Sequence, residues 1–263
     1  MKNSNCYFEN FGITGVRVFE RYGITKFLVN SAAAREIVLR DLSARTASVS
    51  GLFHPAFAPE IEKPTVTISR QHAEEIIVGT FGIPNKEKQT EIIVSACQLL
   101  TQTGRRVRLI VAGYRADKYV RRFQSSTENL VIEGFGDLTD AELFCAMSTV
   151  DVAVQLRRRN LGESSGVIPQ LLVLGKNVIV SDVGSFAEYG AAVQSVLVDC
   201  SVEKLAATIV DGLHDHSRKT SMETYVTEHS TKNFRASLVR AVDEIDQVKE
   251  VCQKKAEALS TRC

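Results

Sequence analysis

The sequence lacks any apolar run near the eighteen or so residues that a membrane-spanning helix needs. Its opening, M-K-N-S-N-C-Y-F-E-N-F-G, lacks the apolar core of a secretory signal. The expectation is a cytoplasmic protein, at most peripheral at the inner face of a membrane. No C-x-x-C pair occurs. The six cysteines, at 6, 97, 145, 200, 252 and 263, are scattered, which argues against a disulfide framework and for reduced thiols, mostly in the core. The histidines lack metal-ligand spacing; His214 and His216 lie two apart in a polar turn, and no metal site is expected. A dominant charge sign is missing too. Lys and Arg number 32 against 31 Asp and Glu, so nothing points to nucleic acid as the main partner. What remains is ordinary for a globular enzyme: 263 residues, 44% apolar and 24% charged, enough for one large domain or two smaller ones.

Along the first sixty or so residues, Lys26 to Asn30 reads as a short buried strand. Ser31 is placed to cap a helix from Ala32 to Leu42, and Ala47 to Phe53 reads as a second strand. So few elements bury little surface alone, so this segment must lean on something else. Pro55, Pro59 and Pro64 then suggest a linker or crossover. From Glu74 onward, apolar strands alternate with helices. The expected strands are 75–79, 107–112, 130–133, 151–156, 177–181 and 195–198. The expected helices start at Lys88, after Gly113, at a Thr139–Glu142 capping box, after Gly166, at Leu205 and at Ser221, the last running to the end. That alternation predicts an α/β fold with a Rossmann-like, doubly wound parallel sheet covered on both faces. Ligand groups should gather at the carboxyl ends of its strands, in the loops 80–88, 113–116, 134–138 and 157–166.

The last of these loops carries the most chemistry. It reads R-R-R-N-L-G-E-S-S-G from Arg157 to Gly166. Gly162 and Gly166 allow backbone conformations closed to other residues. Ser164 and Ser165 offer hydroxyls beside the free N–H groups of a helix start, which favours anions. Arg157, Arg158 and Arg159 arrive just before, and a guanidinium grips phosphate with two hydrogen bonds. Three in a row cannot all face inward, and an ordinary βα loop with a solvated arginine run would read much the same. Glu163 would repel a phosphate and should face a neutral polyol. A diphosphate joined to a sugar is the predicted ligand. Further on, Ser185-Phe-Ala-Glu188 reads as a second capping box, so Glu188 has a structural role open to it besides a functional one.

These loops resemble the donor-binding lobe of a group 1 (family 4) glycosyltransferase of the GT-B fold, over residues about 75 to 245. The carriers are Phe81-Gly82 with Lys88 six residues on, Leu156-Arg157, Gly162-Glu163-Ser164-Ser165-Gly166, Gly175-Lys176, and Val178 to Glu188 (V-I-V-S-D-V-G-S-F-A-E). Tyr225 to Phe234 resembles the family's closing helix. Residues 24 to 57 resemble the last βαβ of its acceptor lobe. The resemblance implies a retaining, metal-independent hexosyl transfer from a nucleoside-diphosphate sugar to a carbohydrate or lipid-linked acceptor, in bacterial-type glycan or polysaccharide synthesis. No cofactor is implied beyond the donor substrate. Gly82, Lys88 and Arg157 or a neighbour would bind the diphosphate, with the amides of Ser164, Ser165 and Gly166. Glu163 would match the first acid of the family's E-x7-E motif and hold sugar hydroxyls. The second acid, which grips the ribose, is replaced by Leu171, and Gln170 stands nearby as a substitute. Gly184 would serve the backbone near the nucleotide.

Three segments are expected: 1–62, a partial acceptor-lobe segment and linker; 63–220, the nucleotide-sugar-binding lobe; and 221–263, a crossing helix and tail. Sixty residues are few for an acceptor lobe. The chain is therefore read as a reduced transferase, as one half of a split transferase whose partner chain supplies that lobe, or as a non-catalytic nucleotide-sugar-binding module. A sugar-nucleotide epimerase shares this fold, but its acids and histidine find no counterpart here.

Overall fold

A computed structural model describes residues 15–42, 47–59, 68, 70–123 and 129–244. Cys6, Pro64, Cys252, Cys263, the opening segment and the tail after Asp246 lie outside the described residues. The chain divides into two compact units. The larger holds Pro55–Asn160 and Ser165–Glu228; the smaller holds Met1–His54, Leu161–Ser164 and His229–Cys263.

In the smaller unit, α1 (Val16–Arg21) precedes a parallel pair, β1 (Lys26–Val29) and β2 (Ser48–Gly51), joined through α2 (Ala32–Asp41). Ser31 caps α2, its hydroxyl accepting from the Ala34 N–H at 2.9 Å. Val16, Val38 and Val49 form a small core with Phe27, Val29 and Leu42 around it. Phe53 packs edge-on against His229 and Phe234, at the start of a helix over residues 231–244.

The larger unit is built on six parallel strands: β3 (Ile76–Phe81), β4 (Val107–Ala112), β5 (Leu130–Phe135), β6 (Val152–Gln155), β7 (Asn177–Ser181) and β8 (Gln194–Val196). Their order is β5-β4-β3-β6-β7-β8. Every residue of β3, β4 and β6 is buried, which explains why these strands read as continuous apolar runs rather than alternating ones. Alternation reappears in what each side chain touches. Val78, Leu109 and Val111 join the cluster under α3 (Thr90–Gln102), α4 (Ala116–Val120) and α7 (Val202–His214). Ile77, Ile110 and Ala112 join the one under α5 (Asp140–Thr149) and α6 (Val167–Val173). Ile93, Leu205 and Ile209 are 0% exposed. Each such side chain contributes about 1.5–3 kcal/mol.

Arg108 interrupts the apolar run of β4 at 2% exposure. It is tolerated because Glu75, itself 4% exposed, pairs with its Nε at 3.2 Å, and Glu133 lies 3.7 Å from Nη1. Cys97 is fully buried, which pushes its thiol up to about 12. Cys97, Cys145 and Cys200 are all free.

The Thr139–Glu142 capping box forms as expected and opens α5. Three expectations are corrected. The helix expected from Lys88 begins at Thr90, because Gln89 adopts a left-handed φ of 51° and the preceding residues form a turn. The Ser185–Glu188 box is replaced by 3-10 turns over Gly184–Ala192, broken at Gly190, where φ is +53°. Their start carries no side-chain cap, and the Ser185 hydroxyl instead accepts from Asn160 at 3.0 Å. The closing helix is interrupted: α8 (Lys219–Glu228) ends before a turn at His229, and the 231–244 helix follows.

Candidate functional site

Strand order locates the crevice. The chain builds β3, β4 and β5 outward on one side, then returns past β3 to build β6, β7 and β8 on the other. The reversal falls between β3 and β6, where doubly wound sheets open for a ligand. These two strands pair only at Val78–Val152 and Gly79–Ala153. Beyond that, the buried Gln155 side chain bridges the gap. With its amide oriented to satisfy both partners, it donates to the Phe81 carbonyl at 3.1 Å and accepts from the Phe81 N–H at 2.8 Å.

Just past Phe81 the chain turns at Gly82, with φ of +97°. A Cβ there would lie 2.0 Å from the Lys88 ammonium, so only glycine leaves the lysine its place. The Lys88 N–H donates to the Asn85 side chain at 2.9 Å, which folds the turn back. Its ammonium then donates to the Phe81 carbonyl at 3.0 Å. Burial, and next the Arg157 guanidinium, lower Lys88 from 10.5 to about 8. The neighbouring loop crowds in as well. A Cβ on Gly113 would lie 2.4 Å from the Gly82 carbonyl carbon.

On the other side of the crevice, Arg157 follows buried Leu156. Its N–H donates to the Ser181 hydroxyl at 2.9 Å, and its guanidinium carbon lies 6.0 Å from the Phe186 ring centre. Arg157 is half-buried, whereas Arg158 and Arg159 are exposed. The Arg158 N–H donates to the Glu87 carbonyl at 2.8 Å, tying the loop after β6 to the loop after β3. Asn160 ties it to the loop after β7. Its amide bonds the Ser185 hydroxyl and N–H, and Gly184, at φ +53°, leaves no room for a Cβ beside it.

Ser165 and Gly166 open α6. The Ser165 hydroxyl accepts from the Ile168 N–H at 3.4 Å, a long cap, and its carbonyl accepts from the Tyr189 hydroxyl at 3.3 Å. Gly166 holds an ordinary φ of −74°, so the freedom expected of it goes unused. Gln170 is half-buried on α6, while Leu171 is 0% exposed in the core. The position that would carry a second acid thus faces hydrocarbon.

Gly162, Glu163 and Ser164 belong to the smaller unit. Gly162, at φ +98°, packs on the first turn of α2, where an added Cβ would lie 2.5 Å from Ala34 Cα. The Ser31 hydroxyl donates to its carbonyl. Glu163 is exposed, and its carboxylate accepts from the Leu161 N–H at 2.8 Å.

The structure therefore brings Gly82, Lys88 and Arg157 together and sets Ser165, Gly166 and Gln170 along α6 in the same unit. Sequence reasoning missed Gln155, Asn160, Tyr189 and the second role of Ser31. Their partners lie 24 or more residues away, so no local signal marks them.

No curated protein matches the sequence. Among solved structures, a trehalose-6-phosphate synthase analysed with bisubstrate glycomimetics is similar at 12% identity and a TM-score of 0.68, over 89% of this chain and 65% of that one. TarM of S. aureus is similar at 14% identity and 0.62, over 88% and 48%. A chain of the GtfA/B complex is similar at 12% and 0.61, over 92% and 48%. The present chain thus spans less than two thirds of each. The shared fold is the Rossmann-like α/β sheet of the GT-B glycosyltransferases. With its parallel sheet, its reversal point and a family model matching residues 75–215, more than half of its length, the chain belongs to the group 1 glycosyl transferases.

Proposed function

We propose that the chain is the donor side of a glycosyltransferase that moves a sugar from a nucleoside diphosphate to an acceptor hydroxyl, in cytoplasmic glycan or polysaccharide synthesis. The observation that carries this reading is Lys88 held beside Arg157 at the crevice between β3 and β6. Two cations held together, one shielded from water, are unfavourable until an anion neutralises them. A diphosphate is such an anion.

In the reaction, the bond from sugar C1 to the diphosphate oxygen breaks while the acceptor oxygen bonds to C1. Negative charge gathers on the leaving diphosphate, and the acceptor hydroxyl loses its proton. Lys88 and Arg157 stabilise that charge in place of a divalent ion. The backbone at Gly82 and the amides of Ser165 and Gly166 add donors to the phosphates. Gln170 takes the ribose contact that buried Leu171 cannot make. Retention at C1 is the outcome the family resemblance implies.

Titration calorimetry with UDP, GDP and ADP in the presence of EDTA tests this. One of the three is expected to bind the wild type, and Lys88→Met to bind it about tenfold or more weakly, the loss of a charge-assisted contact. Failure of all three to bind, or an unchanged affinity in the variant, removes the reading.

A second reading has its own support. The chain spans 48% of a GtfA/B chain, a protein solved as a complex. A partner chain supplying the acceptor lobe would then be needed for turnover. Diphosphate binding without sugar transfer by the pure chain favours this reading, or a binding module; transfer by the pure chain excludes both.

A further inference from the structure

The crevice with Lys88 opens at the carboxyl ends of the strands. The larger unit has another cavity, of about 580 Å³, at the opposite ends. It lies before β6 and β7, between the last turn of α6, the turn after α7 and one face of α8. That volume is in the range of small-molecule sites, roughly 300–1,000 Å³. Its floor is apolar. Val150, Leu172 and Met222 are 6% exposed or less, and Val173, Leu213 and Val226 extend the surface.

The charged groups on its walls differ in one respect. Asp151 accepts from the Arg70 guanidinium at 2.6 Å and from the Ile77 N–H at 2.8 Å. Asp215 accepts from the Ser217 N–H at 2.9 Å and from Arg218 Nε at 3.0 Å. Glu223 lies 4.0 Å from Lys219 on the same helix. Each acid therefore has its cation or donors. Lys176 has only the attraction of Asp151, a carboxylate already engaged by Arg70 and the Ile77 N–H. It is half-buried, and among the described residues its ammonium makes no hydrogen bond and no ion pair within 4.0 Å, although its backbone N–H is spent on the Leu171 carbonyl. A cation drawn partly out of water without an acceptor is costly. The site thus offers an apolar bed and one ammonium with no hydrogen-bond acceptor among the described residues. Three nearby acids disfavour a dianion such as phosphate, so a monoanionic head fits better.

We propose that this cavity binds a small amphipathic carboxylate, its apolar body against Leu172, Met222 and Val226 and its head on Lys176. The site is separate from the donor crevice and does not depend on how that crevice is read.

Decanoate below its micellar concentration is the probe, measured by titration calorimetry, with decanol and decyltrimethylammonium as the neutral and cationic controls. Saturable binding of one decanoate per chain is expected. Lys176→Met should weaken it about tenfold, the loss of one charge-assisted contact, and Lys176→Arg should restore most of it. Thermal melts verify that both variants fold. Absence of saturable decanoate binding, equal affinity in the Met variant, or decanol binding as tightly as decanoate overturns the proposal.

Discussion

Lys88 is a lysine whose charge costs the fold something. An ammonium shielded from water and set beside a guanidinium gives up its proton more readily, here at about 8 instead of 10.5. Between those values the unfolded chain holds the proton and the folded one does not, so this residue makes stability rise with pH across that window. Below pH 8 the cost is present in full, roughly 3 kcal/mol at most. Lys88→Met should therefore leave the melting temperature at pH 7 unchanged or raised while diphosphate binding falls. A clear drop in melting temperature would mean that the lysine holds the fold together. The same titration governs the ligand. Only the charged lysine attracts a diphosphate, so affinity should be level below pH 8 and decline above it. The Met variant should lack that decline between pH 7 and 9.5. Among the three arginines the sequence offered no choice; burial makes it, since Arg157 is half-buried while Arg158 and Arg159 face water.

At the scale of elements, the glycine–serine loop is read best through its backbone. The sequence shows two glycines there and cannot rank them. Gly162 sits at φ +98° against the first turn of α2, and Gly166 at −74° in the helix start. Gly162→Ala meets both an adverse backbone region and the Ala34 Cα, and should cost about 2 kcal/mol or more. Gly166→Ala has no adverse φ to adopt and should stay within about 1 kcal/mol of wild type. Urea unfolding of the two variants measures the difference; equal losses would contradict the assignment. Ser31 shows the same limit of local reading. Its capping of α2 is legible from S-A-A-A, whereas its bond to Gly162, 131 residues away, is not. The Ser185 box failed for a related reason: Asn160 reaches that hydroxyl, and a distant partner overrides a local pattern.

For the molecule as a whole, one buried charge tests how firmly the sheet of the larger unit is held. Arg108 and Glu75 are both under 5% exposed and answer one another. Arg108→Leu leaves the Glu75 carboxylate only the Gln71 N–H, at 3.2 Å, and should cost about 3–5 kcal/mol. The Arg108→Leu, Glu75→Gln double variant should recover part of that. Urea unfolding checks both, and a neutral single variant would mean that water reaches the glutamate. The sequence by itself determined the parallel α/β sheet, because strands covered on both faces must be apolar throughout and must be separated by helices. It also determined the family, because Phe81-Gly82, Lys88 and the Gly162–Gly166 loop are local patterns. Only the tertiary structure decided the strand order, which arginine joins Lys88, which glycine is indispensable and where the Lys176 ammonium comes to lie. Those depend on which distant residues meet and how much water they keep, and neither quantity is written in neighbouring letters.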